Sequence, residues 1–165
     1  MREATPADVS LLLTMIRELA EYERLSDQVE TTEELLASAL FGDAASAEAL
    51  IAELDGEPVG YAIFFSTFST FLAIQGVWLE DLYVRPAHRK AGAGKALLAA
   101  VAAKLRERGG RRMEWAALDW NELALGFYRG LGAHAQKEWI THRLIGEDLD
   151  RLAAQAPPVA AAPRR

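Results

Sequence analysis

Residues 77–94, VWLEDLYVRPAHRKAGAG, decide the fold, because they join a strand pattern directly to the glycine-rich start of a helix. Residues 77–84 are mostly β-branched, aromatic and aliphatic, which is typical of a strand, and Pro86 ends it. The glycines that follow open a helical pattern that continues to Arg108. A strand that leads at once into a helix predicts one unit of an α/β or α+β domain.

The elements before this stretch are two helices and a hairpin. One helix is predicted from Thr5-Pro6-Ala7-Asp8 and a second from Thr31, because hydroxyl caps precede apolar stripes at helical spacing. Asp55-Gly56 predicts the turn of a hairpin whose strands cover residues 49–54 and 59–65.

Further strands and one more helix are predicted beyond the hairpin. Residues 66–75 are expected to form a loop, and strands are expected at 113–118 and 139–145. The resulting fold is a mixed, mostly antiparallel sheet flanked by helices, in a single domain over residues 1–152. Residues 153–165 are rich in alanine and proline and are expected to be a disordered tail.

Composition and charge exclude several classes of protein. The 165 residues suit one domain, and no apolar run approaches the roughly 20 residues that cross a bilayer. Neither a membrane partner nor a secretory signal is expected, and a cytoplasmic location follows by default. With no cysteine and only three scattered histidines, disulfides, a thiolate nucleophile and a metal site are not expected. The net charge of −6 disfavours nucleic acid and suits a cationic or neutral substrate, although mild acidity also serves solubility alone.

Residues 89–95 form an expected anion-binding loop. Two glycines let backbone N–H groups approach a ligand without interference from a Cβ, and the helix that follows adds the positive end of its dipole. Arg89, Lys90 and Lys95 contribute full positive charges, so the loop suits a pyrophosphate. The complete GxGxxG and GK[ST] patterns are missing, which makes NAD and ATP poor candidates. A plain strand-to-helix turn is the alternative interpretation.

Glu80 and Asp81 are adjacent carboxylates inside an otherwise apolar strand. Because successive side chains of a regular strand point to opposite faces, one of the two is expected to point inward. A buried carboxylate needs a partner or a function. One of them is therefore a candidate base or cation-binding group at a cleft, and the alternative is a frayed strand that leaves both in water.

Asn121 and Tyr128 are the remaining candidates from the residues alone. Asn121 is most simply an N-cap of the helix that stops at Gly132. Tyr128 carries a phenol that can donate a proton, although a tyrosine beside leucines at helical spacing is more often a core residue.

The order and spacing of these motifs resemble the GCN5-related N-acetyltransferase (GNAT) superfamily. The shared features are Arg89-x-x-Gly92-x-Gly94 after a strand, then Asn121 and Phe127-Tyr128-x-x-x-Gly132-Ala133. Three further runs are similar to the diamine (spermidine/spermine) N-acetyltransferase family: ELAEYE at 18–23, LEDLYV at 79–84 and DWNE at 119–122. The resemblance extends from about residue 2 to residue 152.

The resemblance implies transfer of an acetyl group from acetyl-CoA to a primary amine, and it implies which positions hold each substrate. It also implies a homodimer and no metal. The implied acetyl-CoA positions are Leu82, Tyr83, Val84, Arg89, Lys90, Ala91, Gly92, Ala93, Gly94, Lys95, Asn121, Glu122, Ala124 and Tyr128. The implied amine positions are Tyr22, Glu23, Glu80, Asp81, Glu114, Trp115, Ala116 and, more loosely, Glu138.

The implied chemistry is direct transfer. An alkylammonium, with a pKa of about 10.4, must lose a proton before it attacks a thioester. Glu80, or Asp81, is expected to take that proton directly or through water. Strand N–H groups near Leu82 are expected to stabilise the oxyanion, and Tyr128 to protonate the departing thiolate. No cysteine is available to hold the acetyl group, and no Ser-His-Asp spacing suggests a serine relay.

One departure from the family concerns the acceptor. Polyamine members carry an acidic residue followed by Pro-Trp before the central strand, where this chain has Ser69-Thr70-Phe71. The change disfavours spermine and spermidine and leaves shorter diamines, thialysine, lysine and ornithine as candidates. Two other functions stay open: acetylation of a protein N-terminus or lysine, and non-catalytic binding of acyl-CoA.

Overall fold

In the computed structural model, a mixed five-stranded sheet organises residues 1–118, the first of two units into which the chain divides. The structure describes residues 1–159. Each strand pairs with the next in chain order, antiparallel throughout except that the fifth runs parallel to the fourth. The strands are β1 (Arg2–Glu3), β2 (Glu48–Leu54), β3 (Glu57–Ser69), β4 (Ile74–Val84) and β5 (Arg112–Glu114).

Three helices cover the two faces of this sheet: α1 (Val9–Glu23), α2 (Glu33–Phe41) and α3 (Ala93–Glu107). Ile51, Tyr61 and Tyr83 pack with α1 and α2 in one apolar cluster. Because strand side chains alternate between faces, the intervening residues point the other way, where α3 packs against β2, β3 and β4. The predicted fold class, an α/β domain with a mostly antiparallel mixed sheet, is confirmed.

The helix starts follow hydroxyl caps, as predicted, with one shift. A 3-10 turn at Pro6–Asp8 precedes α1, and the N–H and hydroxyl of Thr5 both donate to the Asp8 carboxylate at 2.8 Å. The second cap is Thr32 and not Thr31, because the Thr32 hydroxyl is the one that accepts from the Leu35 N–H, at 3.3 Å.

The turn at Asp55-Gly56 is confirmed, whereas the predicted loop at residues 66–75 is wrong. Asp55 and Gly56 both have positive φ, 52° and 81°, as a two-residue hairpin turn requires. Residues 66–75 instead extend β3 and β4, with pairs from Ser66–Val77 to Ser69–Ile74, and only residues 70–73 turn. The irregular mixture of apolar and polar residues had suggested a loop there. The strand ladder instead uses backbone groups, and the Gln75 amide also donates to the Ser66 hydroxyl at 3.2 Å.

The second unit begins at Asp119 and contains α4 (Glu122–Gly130) and α5 (Gly146–Ala153). Asn121 is the N-cap of α4, as predicted, since its side-chain oxygen accepts from the Ala124 N–H at 3.2 Å. The predicted strand at 139–145 is wrong, because those residues are irregular and pair with no strand in the described part of the chain.

The helix α5 was not predicted. Of the predicted tail, residue 153 ends α5, residues 154–159 are exposed, and residues 160–165 lie outside the described part of the chain. None of the helices formed by residues 1–159 has both the length and the apolar character to cross a bilayer.

Candidate active site

A β-bulge in the middle of β4 breaks the regular alternation of side chains at the two carboxylates. Asp81 pairs with Ile63, and Leu79 pairs with the next residue of β3, Phe64, so that Glu80 is an extra residue between two paired positions. The bulge brings Glu80 and Asp81 to one cleft, although the strand pattern predicted that only one of them would point inward. The strand does not fray here, because β4 is continuous from residue 74 to residue 84.

The cleft lies between α1, the turn that follows α1, and the bulge of β4, and its volume is about 290 Å³. Three carboxylates, from Glu23, Glu80 and Asp81, line it together with the Gln28 amide. A concave site lined by charges of one sign attracts a ligand of the opposite sign. The remaining lining residues are apolar: Ile16, Leu19, Ala20, Leu25 and Val29.

Asp81 is partly buried, and a tyrosine of the neighbouring strand β3 donates a hydrogen bond to its carboxylate. Tyr61 is 0% exposed, and its hydroxyl donates to Asp81 Oδ2 at 3.0 Å. Loss of water around the Asp81 carboxyl raises its pKa to about 6, and the negative charges of Glu80 and Glu23 act in the same direction. The hydrogen bond from Tyr61 opposes this rise. Asp81 therefore changes its protonation state close to neutral pH.

The other two carboxylates of the cleft have different surroundings. Glu80 is exposed, and the indole N–H of Trp78 donates to its Oε2 at 2.9 Å. Glu23 lies at the last residue of α1, and burial raises the pKa of its carboxyl. A cation that enters the cleft thus meets one exposed and two partly buried acidic groups.

The strands β4 and β5 separate after Trp78 and Glu114, which are their last paired residues. The predicted strand over 113–118 is shortened to β5, while β4 continues to Val84. Within the described residues, the edge of β4 from Leu79 to Val84 therefore has no strand partner on the β5 side. Alternate backbone N–H and C=O groups on such an edge can pair with amide groups of a ligand. Leu82, Tyr83 and Val84, the predicted contacts of the pantetheine arm, all belong to this edge.

The glycine-rich loop leads into the N-terminus of α3. Gly92 is the N-cap and has a φ of 91°, a left-handed conformation that glycine adopts without strain. A Cβ at Gly92 would meet nothing within 4 Å, so the backbone conformation and not the space requires glycine. Lys90 and Lys95 are exposed beside N–H groups of the first helical turn, which have no acceptor within the helix. These features fit a pyrophosphate group.

Arg89 has partners within the protein. Its Nε donates to the Val84 carbonyl at 2.9 Å, and its guanidinium lies 4.6 Å from the centre of the Tyr22 ring. The sequence had grouped Arg89 with the pyrophosphate and Tyr22 with the amine, whereas the structure brings the two side chains together. Arg89 thus ties the end of β4 to the last turn of α1.

The remaining predicted positions lie at the end of β5 and, in the second unit, on or near α4. Glu114 is half-buried and pairs with Arg112 at 2.8 Å, and residues 115 and 116 follow β5 directly. In the second unit, Tyr128 lies on α4 with its ring 5.3 Å from the Phe127 ring. The other predicted positions of that unit are Asn121, Glu122 and Ala124 at the start of α4, and Glu138 in an exposed turn.

Tyr61 and Trp78, the donors to the two carboxylates, were missed at the level of sequence. The Tyr61 contact depends on the alignment of β3 with β4, and the predicted loop at 66–75 removed part of the segment that sets this alignment. The Trp78 contact joins residues two apart on one strand, whose side chains share a face, so the strand pattern alone could have indicated it. The local signal that remains is a tyrosine inside an apolar strand, where a buried hydroxyl usually finds a hydrogen-bond partner.

Comparisons with known proteins identify relatives in sequence and in fold. The sequence profile of the acetyltransferase (GNAT) family matches residues 12–133. The chain is 38% identical over 166 residues to the thialysine N-epsilon-acetyltransferase of Bos taurus, covering 94% of this chain and 97% of that protein. It is 32% identical over 197 residues to the L-ornithine N5-acetyltransferase of Arabidopsis thaliana, covering 92% and 86%. An integron cassette protein from the mobile metagenome of V. cholerae shares the fold, with a TM-score of 0.76 at 24% identity, covering 92% of this chain and 95% of that chain.

Proposed function

The chain belongs to the GNAT family of acetyltransferases, and we propose that it transfers the acetyl group of acetyl-CoA directly to a primary amine of a small cationic molecule. The cationic acceptor is inferred from the cleft that Glu23, Glu80 and Asp81 line. The names of the two relatives specify a side-chain nitrogen, Nε of thialysine and N5 of ornithine. A basic amino acid or a short diamine is therefore the proposed acceptor here.

The cleft suits such an acceptor in both charge and shape. An alkylammonium group carries a positive charge that the three carboxylates attract, and its methylene groups contact apolar walls such as Ile16 and Leu19. The turn where polyamine enzymes carry an acidic residue has none in this chain: Ser69 is buried and Phe71 is 94% exposed. This difference supports a small acceptor over spermine or spermidine.

Acetyl-CoA, when bound, supplies the thioester carbonyl that the amine attacks. Lys90, Lys95 and the N-terminal N–H groups of α3 would hold its pyrophosphate, with Ala91, Gly92, Ala93 and Gly94 forming the turn around it. The edge of β4 at Leu82–Val84 would pair with the amide groups of its pantetheine arm. Asn121, Glu122 and Ala124 are proposed as further contacts on the family pattern.

Proton transfers by the protein complete the proposed reaction. A carboxylate of the bulge takes one proton from the ammonium, so that the nitrogen lone pair can attack the thioester carbon and form the new N–C bond. The nitrogen loses its second proton to solvent as the S–C bond breaks, which leaves a neutral amide. A β4 N–H near Leu82 donates to the carbonyl oxygen as negative charge develops on it. Tyr128 is proposed to protonate the leaving thiolate. Transfer is direct, since the chain has no cysteine to carry the acetyl group.

The proposal extends to the assembly and location of the enzyme. Resemblance to the diamine acetyltransferases supports a homodimer, which light scattering coupled to size-exclusion chromatography tests. A mass near twice 18.1 kDa supports the dimer, and a mass near 18.1 kDa contradicts it. A cytoplasmic location remains a prediction, tested by fractionation of the native cells.

The decisive experiment is release of free CoA thiol from acetyl-CoA in the presence of single amines. The panel contains thialysine, lysine, ornithine, short diamines, spermidine, spermine and short lysine-containing peptides with a free N-terminus, with Nε-acetyl-lysine as the blocked control. Turnover of amino acids or short diamines, without turnover of the control, is expected. Turnover of peptides alone would replace the proposal by protein acetylation, and acetyl-CoA binding without turnover of any amine would replace it by a binding module.

A further inference from the structure

We infer that Arg112 and Glu114 form a subsite for the head group of an amino acid acceptor, in which Arg112 binds the α-carboxylate and Glu114 the α-ammonium. The inference rests on the proposed function. It makes Arg112 the residue by which the enzyme distinguishes a basic amino acid from a diamine of the same length. Both side chains belong to β5, beside the point where β4 continues without β5.

The pair lies on the face of the sheet that also carries the acceptor cleft. Ile63 and Asp81 are paired positions on that face, and Ile63 belongs to the apolar cluster under α1. Phe65 shares the face, since it lies two residues further along β3, and it pairs with Trp78, which pairs with Glu114 of β5. A row of three adjacent side chains therefore crosses the sheet next to the bulge and ends at Glu114.

Side-chain contacts connect this row with the bulge and with Arg112. The Trp78 indole N–H donates to Glu80 Oε2 at 2.9 Å. Arg112 Nε lies 2.8 Å from Glu114 Oε2. Trp78 and Glu80 are two residues apart, which is a rise of about 7 Å along a strand. The aliphatic chain of lysine or ornithine spans a comparable distance, so an amine held at the bulge would bring its α-carbon beside Trp78 and Glu114.

The Arg112 guanidinium keeps donors that the described residues do not use. Its Nε is close to Glu114 but is buried and makes no hydrogen bond within residues 1–159, and its Nη groups make none there either. The side chain is 37% exposed, so a ligand can reach it. A guanidinium presents its N–H groups as a planar fork that matches the two oxygens of a carboxylate. A carboxylate ligand would therefore pair with donors that Glu114 leaves unused.

The neighbour of Arg112 on β4 is a glycine, and a second unpaired polar atom lies on its other side. Gly76 pairs with Arg112 and with Thr67, and a Cβ at this position would lie only 2.6 Å from Thr67 Oγ1. Within residues 1–159, the buried side-chain polar atoms without a hydrogen bond are Thr67 Oγ1 and Arg112 Nε. Such atoms are rare in folded proteins, and two beside one glycine favour a polar ligand at this row over a plain surface ion pair.

The charges of the pair complement an amino acid and discriminate against a diamine. The α-carboxylate is attracted by Arg112, and the α-ammonium by Glu114. A diamine presents a second ammonium without a carboxylate, so Arg112 gains no partner from it and repels it. Because both side chains are more than a third exposed, water screens part of this difference, and we expect discrimination of about tenfold.

The test compares lysine with 1,5-diaminopentane, which is lysine without its carboxylate, in the thiol-release assay. Arg112→Gln should lower kcat/KM for lysine about tenfold, chiefly through KM, because the carboxylate loses its cationic partner. The same variant should raise kcat/KM for the diamine, because a repelling cation is removed. Glu114→Gln should act on the diamine in the opposite direction and lower its kcat/KM. Ornithine and 1,4-diaminobutane form a second matched pair of substrates.

The matched control is Arg108→Gln. Arg108 pairs with Glu48 at the end of α3, and its side chain is 34% exposed, close to the value for Arg112. This control should leave the ratio of the two kcat/KM values as in the wild type. Thermal denaturation shows that each variant is folded before its kinetics are interpreted.

Two outcomes would overturn the inference. In Arg112→Gln, these are an unchanged ratio between lysine and the diamine, or equal losses for both, and either would leave Arg112 and Glu114 as a surface ion pair only. If no amine is turned over, the proposed function fails, but isothermal titration of the protein with lysine and with 1,5-diaminopentane still tests the subsite. Lysine should then bind about tenfold more weakly to Arg112→Gln than to Arg108→Gln, and equal binding to the two variants would contradict the subsite.

Discussion

Asp8 and Asp81 are two carboxylates of the same unit that both lie partly out of water, and their pKa values are shifted in opposite directions. Asp8 is 8% exposed and accepts two hydrogen bonds of 2.7 Å from the Arg2 guanidinium and two of 2.8 Å from Thr5. Asp81 accepts one hydrogen bond, from the neutral hydroxyl of Tyr61. The Arg2 hydrogen bonds hold the pKa of Asp8 well below its ordinary value, whereas loss of water raises that of Asp81 to about 6.

The difference shows what distinguishes a structural carboxylate from a reactive one. Charge-assisted, bidentate hydrogen bonds stabilise the ionised form of Asp8 and join β1 to the start of α1. At the bulge, the surroundings of Asp81 supply a dipole and two further negative charges, so the ionised form is only weakly favoured. A site that must gain and lose a proton needs this second kind of environment.

Removal of the Asp81 carboxylate should have the largest effect on activity. Asp81→Asn removes one of the two carboxylates proposed to take the ammonium proton, and it should lower kcat/KM by about two orders of magnitude, the lower end of the range for loss of general acid–base catalysis. Stability at neutral pH should not fall, because the amide keeps an oxygen for the Tyr61 hydroxyl. Steady-state kinetics and urea unfolding check the two parts. Equal losses of activity in Asp81→Asn and Asp8→Asn, per folded molecule, would contradict a role for Asp81 in the reaction.

The same substitution at Asp8 should affect stability instead. Asp8→Asn removes the negative partner of Arg2 at a buried position, and it should lower the free energy of unfolding by about 2 kcal/mol. The effect is kept below that of a fully buried pair because the Arg2 side chain is 36% exposed. Urea unfolding at neutral pH measures the loss. A stability equal to that of the wild type would show that the amide satisfies Arg2 and Thr5 equally well.

Asp8 and Asp81 should contribute to the pH dependence of stability with opposite sign. The folded-state pKa of Asp8 is lowered, so its contribution is present above the ordinary value of 3.8 and is lost as the pH falls. That of Asp81 is raised, so its ionisation between 3.8 and about 6 destabilises the fold, by about 1 kcal/mol after allowance for solvent screening. In Asp81→Asn, the free energy of unfolding should therefore fall less as the pH rises above about 4. In Asp8→Asn, it should fall less as the pH drops below about 4.

Unfolding free energies measured across this range, in the wild type and both variants, check the signs. A wild type whose stability rises steadily from about pH 4 to neutral would contradict the raised pKa of Asp81. The two variants serve as controls for each other, because each removes one titrating group and leaves the other in place.

The two sites also differ in how far the sequence predicts them. The cap around Asp8 is local, so Thr5-Pro6-Ala7-Asp8 predicts the start of the helix correctly. The Arg2 partner was not predicted, because β1 is two residues long and is defined only by its pairing with β2. Local patterns thus account for the caps at Thr5 and Asn121 and for the Asp55-Gly56 turn, whereas the second helix is capped one residue later than predicted.

The β-bulge of β4 could not be predicted from local sequence patterns. Glu80 and Asp81 stand out as charges in an apolar strand, but regular alternation assigns them to opposite faces. Their shared cleft follows from the offset between Ile63–Asp81 and Phe64–Leu79, a property of two paired strands. The strand predicted at 139–145 failed for a similar reason. Its apolar residues favour a strand, but a strand forms only where a neighbouring strand pairs with it.

The smallest expected effect concerns the second partner of Arg2. Glu53 Oε1 accepts from the Arg2 Nε at 2.7 Å, but the two side chains are 31% and 36% exposed, so water competes for both charges. Glu53→Gln should therefore lower the free energy of unfolding by at most about 0.5 kcal/mol, as for other exposed ion pairs, and the loss should shrink further in high salt. Urea unfolding of Glu53→Gln and Asp8→Asn, at low and at high salt, measures the loss and its dependence on salt. A loss as large as that of Asp8→Asn would show that the anchoring of Arg2, and not the burial of Asp8, stabilises this corner of the sheet.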